Sequence, residues 1–293
     1  MEMFVSTILI ANRQKMKKSF LLFVVASFFS HSNAQQVNFG IDGVKPMGSP
    51  MEKILDVSHS AYLYRHDIYD TVLEKEKTNY ELLQIGNKWS KYGGYNDYRS
   101  DSIRYKNPSI TVTQYFEWTK KNRELNSFCF KNIVVHNLVV RDRVLSNNYI
   151  YEEPFPQFDW KLSNETTTIL GHKCQKATTT FRGRRWIVWY ADDIPISDGP
   201  WKFCGLPGLV LRATDSKGEH KYEAVAIRKM SEDFGYSDRR YVKTTREKFN
   251  KAKLDYNNEA WKMFTGELTP RNADGTPIEI PHRKLFFNPE ELE

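Results

Sequence analysis

From residue 60 onward the sequence alternates its side chains with a period of two, and it does so with aromatic and β-branched residues. Ala61-Tyr62-Leu63-Tyr64-Arg65-His66-Asp67-Ile68-Tyr69 is the first such run. A chain written this way spends most of its length in strands whose two faces differ, because successive side chains of a strand point to opposite sides. Hydrophobic residues make up 40% of the 293, which supplies a core and excludes wholesale disorder.

The turn signals between the runs predict hairpins. Tyr80 to Ile85 and Lys88 to Tyr92 read as two strands closed by Gly86-Asn87, a dipeptide that tolerates positive φ. Asn96 to Lys106 reads as a short helix stopped by Asn107-Pro108. Ile133–Val140 and Tyr149–Lys161 read as strands, the second bent by Pro154 and Pro156. Lys173–Phe181 with Arg184–Tyr190 forms the clearest hairpin, and Leu209–Thr214 with Lys221–Met230 forms another. At Thr244-x-x-Glu247 a capping box opens a helix expected to run to about Phe264. The tail from Arg271 to Glu293 reads as extended. Without a repeat or a flexible linker, residues 35–293 read as one mainly β domain. Its expected form is a single large curved antiparallel sheet, partly closed like a barrel, with a C-terminal helix on one side.

The N-terminus predicts export. Lys15, Lys17 and Lys18 precede the apolar run Phe20–Phe29, and Ser32-Asn33-Ala34 supplies a small-residue cleavage site, so residues 1–34 read as a signal peptide. Removing them lowers the net charge from +7 to +4, too little to point to nucleic acid. No Cys follows the cleavage site, so no lipid anchor is expected, and no second apolar run is long enough to span a bilayer. The expected location is periplasmic or secreted.

Chemistry is harder to find. Cys129, Cys174 and Cys204 all lie in the exported part; a Cys174–Cys204 disulfide is one reading and three inert buried thiols the other. The histidines are scattered, with neither His-x-x-x-His nor His-Glu-x-x-His, so no metal or other cofactor is expected. Arg182-Gly183-Arg184-Arg185 at a hairpin tip, followed by Trp186, suggests an anion-holding turn. With Trp189 and Trp201, the residues Arg184, Arg185 and Trp186 form the expected ligand-binding set. A metal- or thiol-dependent enzyme, or a hydrolase, centred on His172, Cys174 and Asp192–Asp198 is the alternative.

The segment Gly199-Pro200-Trp201-Lys202-Phe203-Cys204-Gly205-Leu206-Pro207-Gly208-Leu209-Val210-Leu211 resembles the GLPGLI family, also called the Porph_ging family, of exported proteins from Bacteroidetes. Gly171-His172-Lys173-Cys174-Gln175-Lys176-Ala177, Trp189 to Ile196, and Asn288-Pro289-Glu290-Glu291-Leu292 resemble further segments of that family, with Val210 where its name has Ile. The resemblance implies export, a β-rich fold and the company of outer-membrane receptors, and it implies no reaction. In the motif itself, Gly205 and Gly208 bracket Pro207 and allow a defined bend, while Leu206 and Leu209 seek the core, so a structural role is expected. The resulting expectation is a non-catalytic accessory protein of the cell envelope. It would hold an envelope protein, or a small-molecule, peptide or glycolipid ligand, on the concave face of its sheet.

Overall fold

The computed structural model describes residues 46, 51, 53–122, 127–144, 147–236, 241–259, 275–276 and 287–293. The expected signal peptide, residues 260–264 of the expected helix and most of the tail lie outside the described residues. The chain divides into two compact units, residues 1–45 with 111–113, and residues 46–110 with 114–293. The sheet belongs to the second.

Among the described residues the fold is mainly β, with one sheet of 12 strands and three helices, one of them near the C-terminus. Strand β1 (Lys53–Asp70) lies mid-sheet, between β2 (Lys75–Ile85) and β11 (His220–Tyr236). On the β2 side follow β3 (Trp89–Gly94), β4 (Phe128–Asn132), β5 (Asn137–Val144), β6 (Asn147–Pro154) and the short β12 (Tyr241–Lys243). On the β11 side follow β10 (Leu209–Asp215), β9 (Arg184–Ala191), β8 (His172–Phe181) and β7 (Lys161–Ile169). All neighbours run antiparallel except β12, which pairs with β6 in parallel. The sheet stays open, so the expected partial closure into a barrel is not reached. Its edges are blunted instead: β12 has three residues, and β7 carries Lys161 and Glu165.

The long β1–β11 pairing shifts register at three places, between Ile54/Asp56, Ser58/Ser60 and Leu63/Tyr64. Each shift adds local twist and bends the ribbon. The core is aromatic. Trp186 is fully buried, with Trp201 at 5.6 Å, Phe203 at 5.1 Å and Tyr222 at 6.3 Å between ring centroids.

Helix α1 (Tyr95–Lys106) matches its sequence signal, and α3 (Arg246–Glu259) begins inside the expected capping box, two residues after Thr244. Thr245 caps α3, accepting from Lys248 N at 3.4 Å. Helix α2 (Val112–Asn122) and strands β4 and β7 have no counterpart in the sequence reading. The expected strand over 133–140 is broken. Val134 and Val135 sit exposed in a turn where Asn132 Oδ1 accepts both their amides, at 3.0 and 3.2 Å, and His136 takes φ +53°. An apolar triplet there mimics strand propensity while a side-chain-capped turn wins locally. Among the described residues, no helix is long and apolar enough to cross a membrane.

Candidate functional site

The residues expected to bind ligand do not share an open surface. Trp186 and Trp201 are core residues, and only Arg185 of the set is exposed, with Trp189 half-buried beside Lys176. Arg184 is 3% exposed. Its guanidinium donates to Asp215 at 3.0 Å, Glu219 at 2.8 Å and the Pro289 carbonyl at 2.8 Å, and also bonds Asn288. The hairpin-tip arginine is thus covered by the C-terminal tail and has no donor left over for an anion. The tip itself is a tight turn, Arg182-Gly183, with both φ positive.

The alternative enzyme centre is also divided. His172 Nδ1 lies 2.8 Å from Asp193 Oδ2 near the outer end of β8, with Asp192 and Asp193 exposed. Cys174 lies fully buried on the same strand, its thiol pushed up to about 11 by burial. Burial likewise raises Cys204 to about 11 and Cys129 to about 12. All three are free, so the Cys174–Cys204 disulfide is not made. Cys174 packs within the β8–β9 pairing opposite Ala191, whereas Cys204 faces the Pro156 carbonyl. Protonated, enclosed thiols are poor nucleophiles and metal ligands.

Asp198 points elsewhere, into a cleft of about 660 Å³. Four connections build it: the β2–β3 turn, the β4–β5 turn, residues 155–160 between β6 and β7, and the loop from β9 to β10. Hydrogen bonds tie these together. Ile133 N donates to Lys88 O at 2.9 Å, Phe155 N to His136 O at 2.9 Å, and Trp160 Nε1 to Cys204 O at 2.9 Å. The β2–β3 turn is held from β1 by Asp56, which accepts Lys88 N at 2.6 Å and Trp89 N at 3.0 Å. Burial would raise the Asp56 carboxyl, but these amide bonds outweigh it and hold the pKa low.

On the cleft floor the buried Lys131 ammonium donates to Asp198, to Gly199 O at 2.8 Å and to Phe203 O at 3.3 Å. Asp198 also accepts from Ser90 Oγ at 2.5 Å and from Gly199 N at 2.7 Å. With its acceptor sites filled by fixed donors, Asp198 is suited to holding the loop in place rather than moving a proton. The walls combine half-buried Phe155 and Phe158 with exposed polar tips from His59, Asn87, His136, Gln157 and Ser197. Aromatic faces with convergent amide and imidazole groups suit a polar ligand that has flat apolar patches. Sequence reasoning missed this cleft because its lining converges from strand β1 and four separate connections, and the one motif among them, Gly205–Leu209, reads as structural.

The Gly205–Leu209 segment forms one rim. Leu206 and Leu209 enter the core. Gly205 has φ +87°, and a side chain at Gly208 would meet Ala191 O at 2.0 Å, so both positions require glycine. Gly205 N donates to Ser197 Oγ at 2.9 Å, which sets the mouth of the cleft.

Away from the cleft, His66, His220 and Glu290 each bring one ligating atom within 4.8 Å of the others. Spacing in the sequence gave no sign of this, since the three come from β1, β11 and the tail.

Residues 150–257 match the model of a family described as N-glycanase peptide, N-terminal domain. The matched span supplies Phe155, Phe158, Ser197, Asp198 and Gly205 of the cleft. No curated protein matches the chain. Two solved structures of PNGF-II, in space groups P21 and C2, superpose with TM-scores of 0.48 and 0.46 at 15% and 16% identity. Each alignment covers 68% of this chain, and 34% and 33% of those chains. The chain therefore spans about a third of their length. The family match corrects the resemblance to the GLPGLI family, and with it the expectation of a non-catalytic accessory protein: the matched family is that of an N-glycanase.

Proposed function

We propose that this chain acts in the hydrolysis of N-linked glycans and that the cleft between the β2–β3, β4–β5, β6–β7 and β9–β10 connections receives the carbohydrate. The observation that carries the reading is that the segment matching an N-glycanase family supplies much of the wall of this cleft. The lining suits the substrate. Phe155 and Phe158 offer faces on which a pyranose ring can lie, and Asn87, Gln157 and Ser197 offer donors and acceptors for its hydroxyls. Hydrolysis also needs a group that moves a proton. Within the cleft lining, His59 and His136 are exposed imidazoles free of the fixed ion pairing that occupies Asp198.

The test is glycan release from a denatured N-glycoprotein by the full chain, read by chromatography of labelled glycans, alongside calorimetric titration with a free N-glycan. Release that drops at least tenfold in His136→Ala or His59→Ala assigns the proton carrier. Gln157→Ala is expected to weaken glycan binding and leave the fold intact. A chain that neither releases nor binds glycan, or one indifferent to all three substitutions, overturns the reading.

A further inference from the structure

The cluster of His66, His220 and Glu290 lies outside the cleft, and nothing in the proposed reaction uses it. His66 comes from β1, His220 from the adjacent β11 and Glu290 from the tail that crosses them. Both histidines are buried, at 1% and 0% exposure. His66 Nε2 lies 3.1 Å from His220 Nδ1. On its other side, His66 Nδ1 meets the Glu81 carboxylate at 3.2 Å, and Tyr92 OH in turn bonds Glu81. Tyr222 stacks on His66 at 3.8 Å and donates to Glu290 Oε1 at 3.1 Å.

Without an ion, the two rings share a single proton. Glu81 fixes the His66 proton on Nδ1, so His66 Nε2 is an acceptor. His220 must then carry its proton on Nδ1 to meet it. A cation between His66 Nε2 and His220 Nδ1 takes the place of that shared proton and is held by both lone pairs.

We propose that His66, His220 and Glu290 form a site for one divalent transition-metal ion, zinc being the best fit, which staples the C-terminal tail to strands β1 and β11. Two imidazoles and one carboxylate are ligands that such ions accept and that magnesium and calcium do not favour. Two nitrogens about 2.05 Å from one tetrahedral zinc stand roughly 3.3 Å apart, close to the separation observed between the two rings. Glu81 behind His66 supplies the carboxylate that orients a metal-bound imidazole. The two carboxylates, Glu81 and Glu290, balance the dication. Arg184, the nearby cation, is already neutralised by Asp215 and Glu219. Three protein ligands leave the fourth position of a tetrahedral ion to a water molecule.

The experiment strips the full chain with a chelator and titrates it with zinc chloride by calorimetry, with magnesium chloride as control. One equivalent of zinc is expected to bind, magnesium is not, and the thermal midpoint is expected to rise with zinc. Glu81→Gln should weaken zinc binding by roughly tenfold, and His220→Ala by more than about 100-fold. Glu290→Gln keeps the shape and the Tyr222 bond, so it reports ligation without unfolding the tail; it should abolish the zinc-dependent rise in midpoint. Cobalt supplies a second readout, its visible bands appearing in the parent chain and vanishing in Glu290→Gln. Absence of zinc binding, or binding unchanged in both His220→Ala and Glu290→Gln, overturns the proposal. Because glycan release is not read, failure here leaves the reading of the cleft standing, and failure there leaves this one.

Discussion

Lys202 and Lys131 are both buried lysines, three and one per cent exposed, yet they serve two regions of opposite character. Lys202 is clamped between Glu153 and Glu291, each at 2.5 Å, with Tyr151 OH at 3.5 Å. Arg182 and Arg246 reach the same two carboxylates, and the Leu292 amide bonds Arg182 O, so the tail is bound down by a network that fills every partner. Burial works against the Lys202 charge, but Tyr151, Glu291 and Glu153 outweigh it and raise the pKa. Lys131 has one carboxylate and two carbonyls, and it lies on the floor of an open cleft. A closed charge network holds parts of the chain together. A charge at the base of a cleft fixes a loop whose outer side chains remain free to meet a ligand.

The largest effect should come from breaking the closed region. Lys202→Met leaves Glu153 and Glu291 with their arginines but without the buried cation between them. Unpairing a buried charge in this way costs about 3–5 kcal/mol. Urea denaturation should show that loss, and a change under 1 kcal/mol would mean the network is solvated. Lys131→Met should cost less, about 2–3 kcal/mol, because Ser90 Oγ and Gly199 N still donate to Asp198. Pairing it with Asp198→Asn should recover part of that loss; the coupling in a double-mutant cycle, about 1–3 kcal/mol, separates the ion pair from the rest.

A smaller effect concerns acid. Burial would raise the Glu153 carboxyl, but Lys202 and Arg182 outweigh it and depress the pKa. A carboxylate depressed in the folded state binds protons more readily when unfolded. Its contribution is therefore whole above about pH 4.5 and is lost as the pH falls through the lower folded value. Glu153→Gln should flatten the fall in stability below pH 4.5, at the price of a lower plateau near neutrality. A variant that tracks the parent chain through acid would place the titration on another group.

Local elements were legible in the sequence, and contacts between distant segments were not. The 172–191 hairpin and helix α1 carry their signals within a few residues: alternation with a Gly turn in one, a proline stop in the other. The Gly205–Leu209 bend was legible for the same reason. Arg184 misled because Asp215, Glu219 and the returning tail enclose it together, and Asn288 and Pro289 stand about 100 residues away. Trp186 and Trp201 looked like a binding platform because an aromatic ring reads alike whether a ligand or a neighbouring loop covers it; here the loop from β9 to β10, which carries Trp201 and Phe203, folds back over Trp186. The cleft and the His66–His220 pair depend on register across strands, which single-chain periodicity cannot supply.

The smallest perturbation, leaving stability untouched, is chemical labelling of the cysteines. Cys204 lines the cleft, whereas Cys129 and Cys174 lie within the sheet. Burial keeps all three protonated at neutral pH, so native labelling by a maleimide should be slow throughout. Its order still reports access: Cys204 should react first, because loop opening at the cleft mouth exposes it, whereas Cys174 waits for strands β7, β8 and β9 to part. A bound glycan should slow Cys204 and leave the other two unchanged. In denaturant without reductant all three should label, and a count of one would restore the disulfide. If instead Cys174 labels as fast as Cys204 in the native protein, the sheet is as open as the cleft, and the contrast between a closed and an accessible region fails.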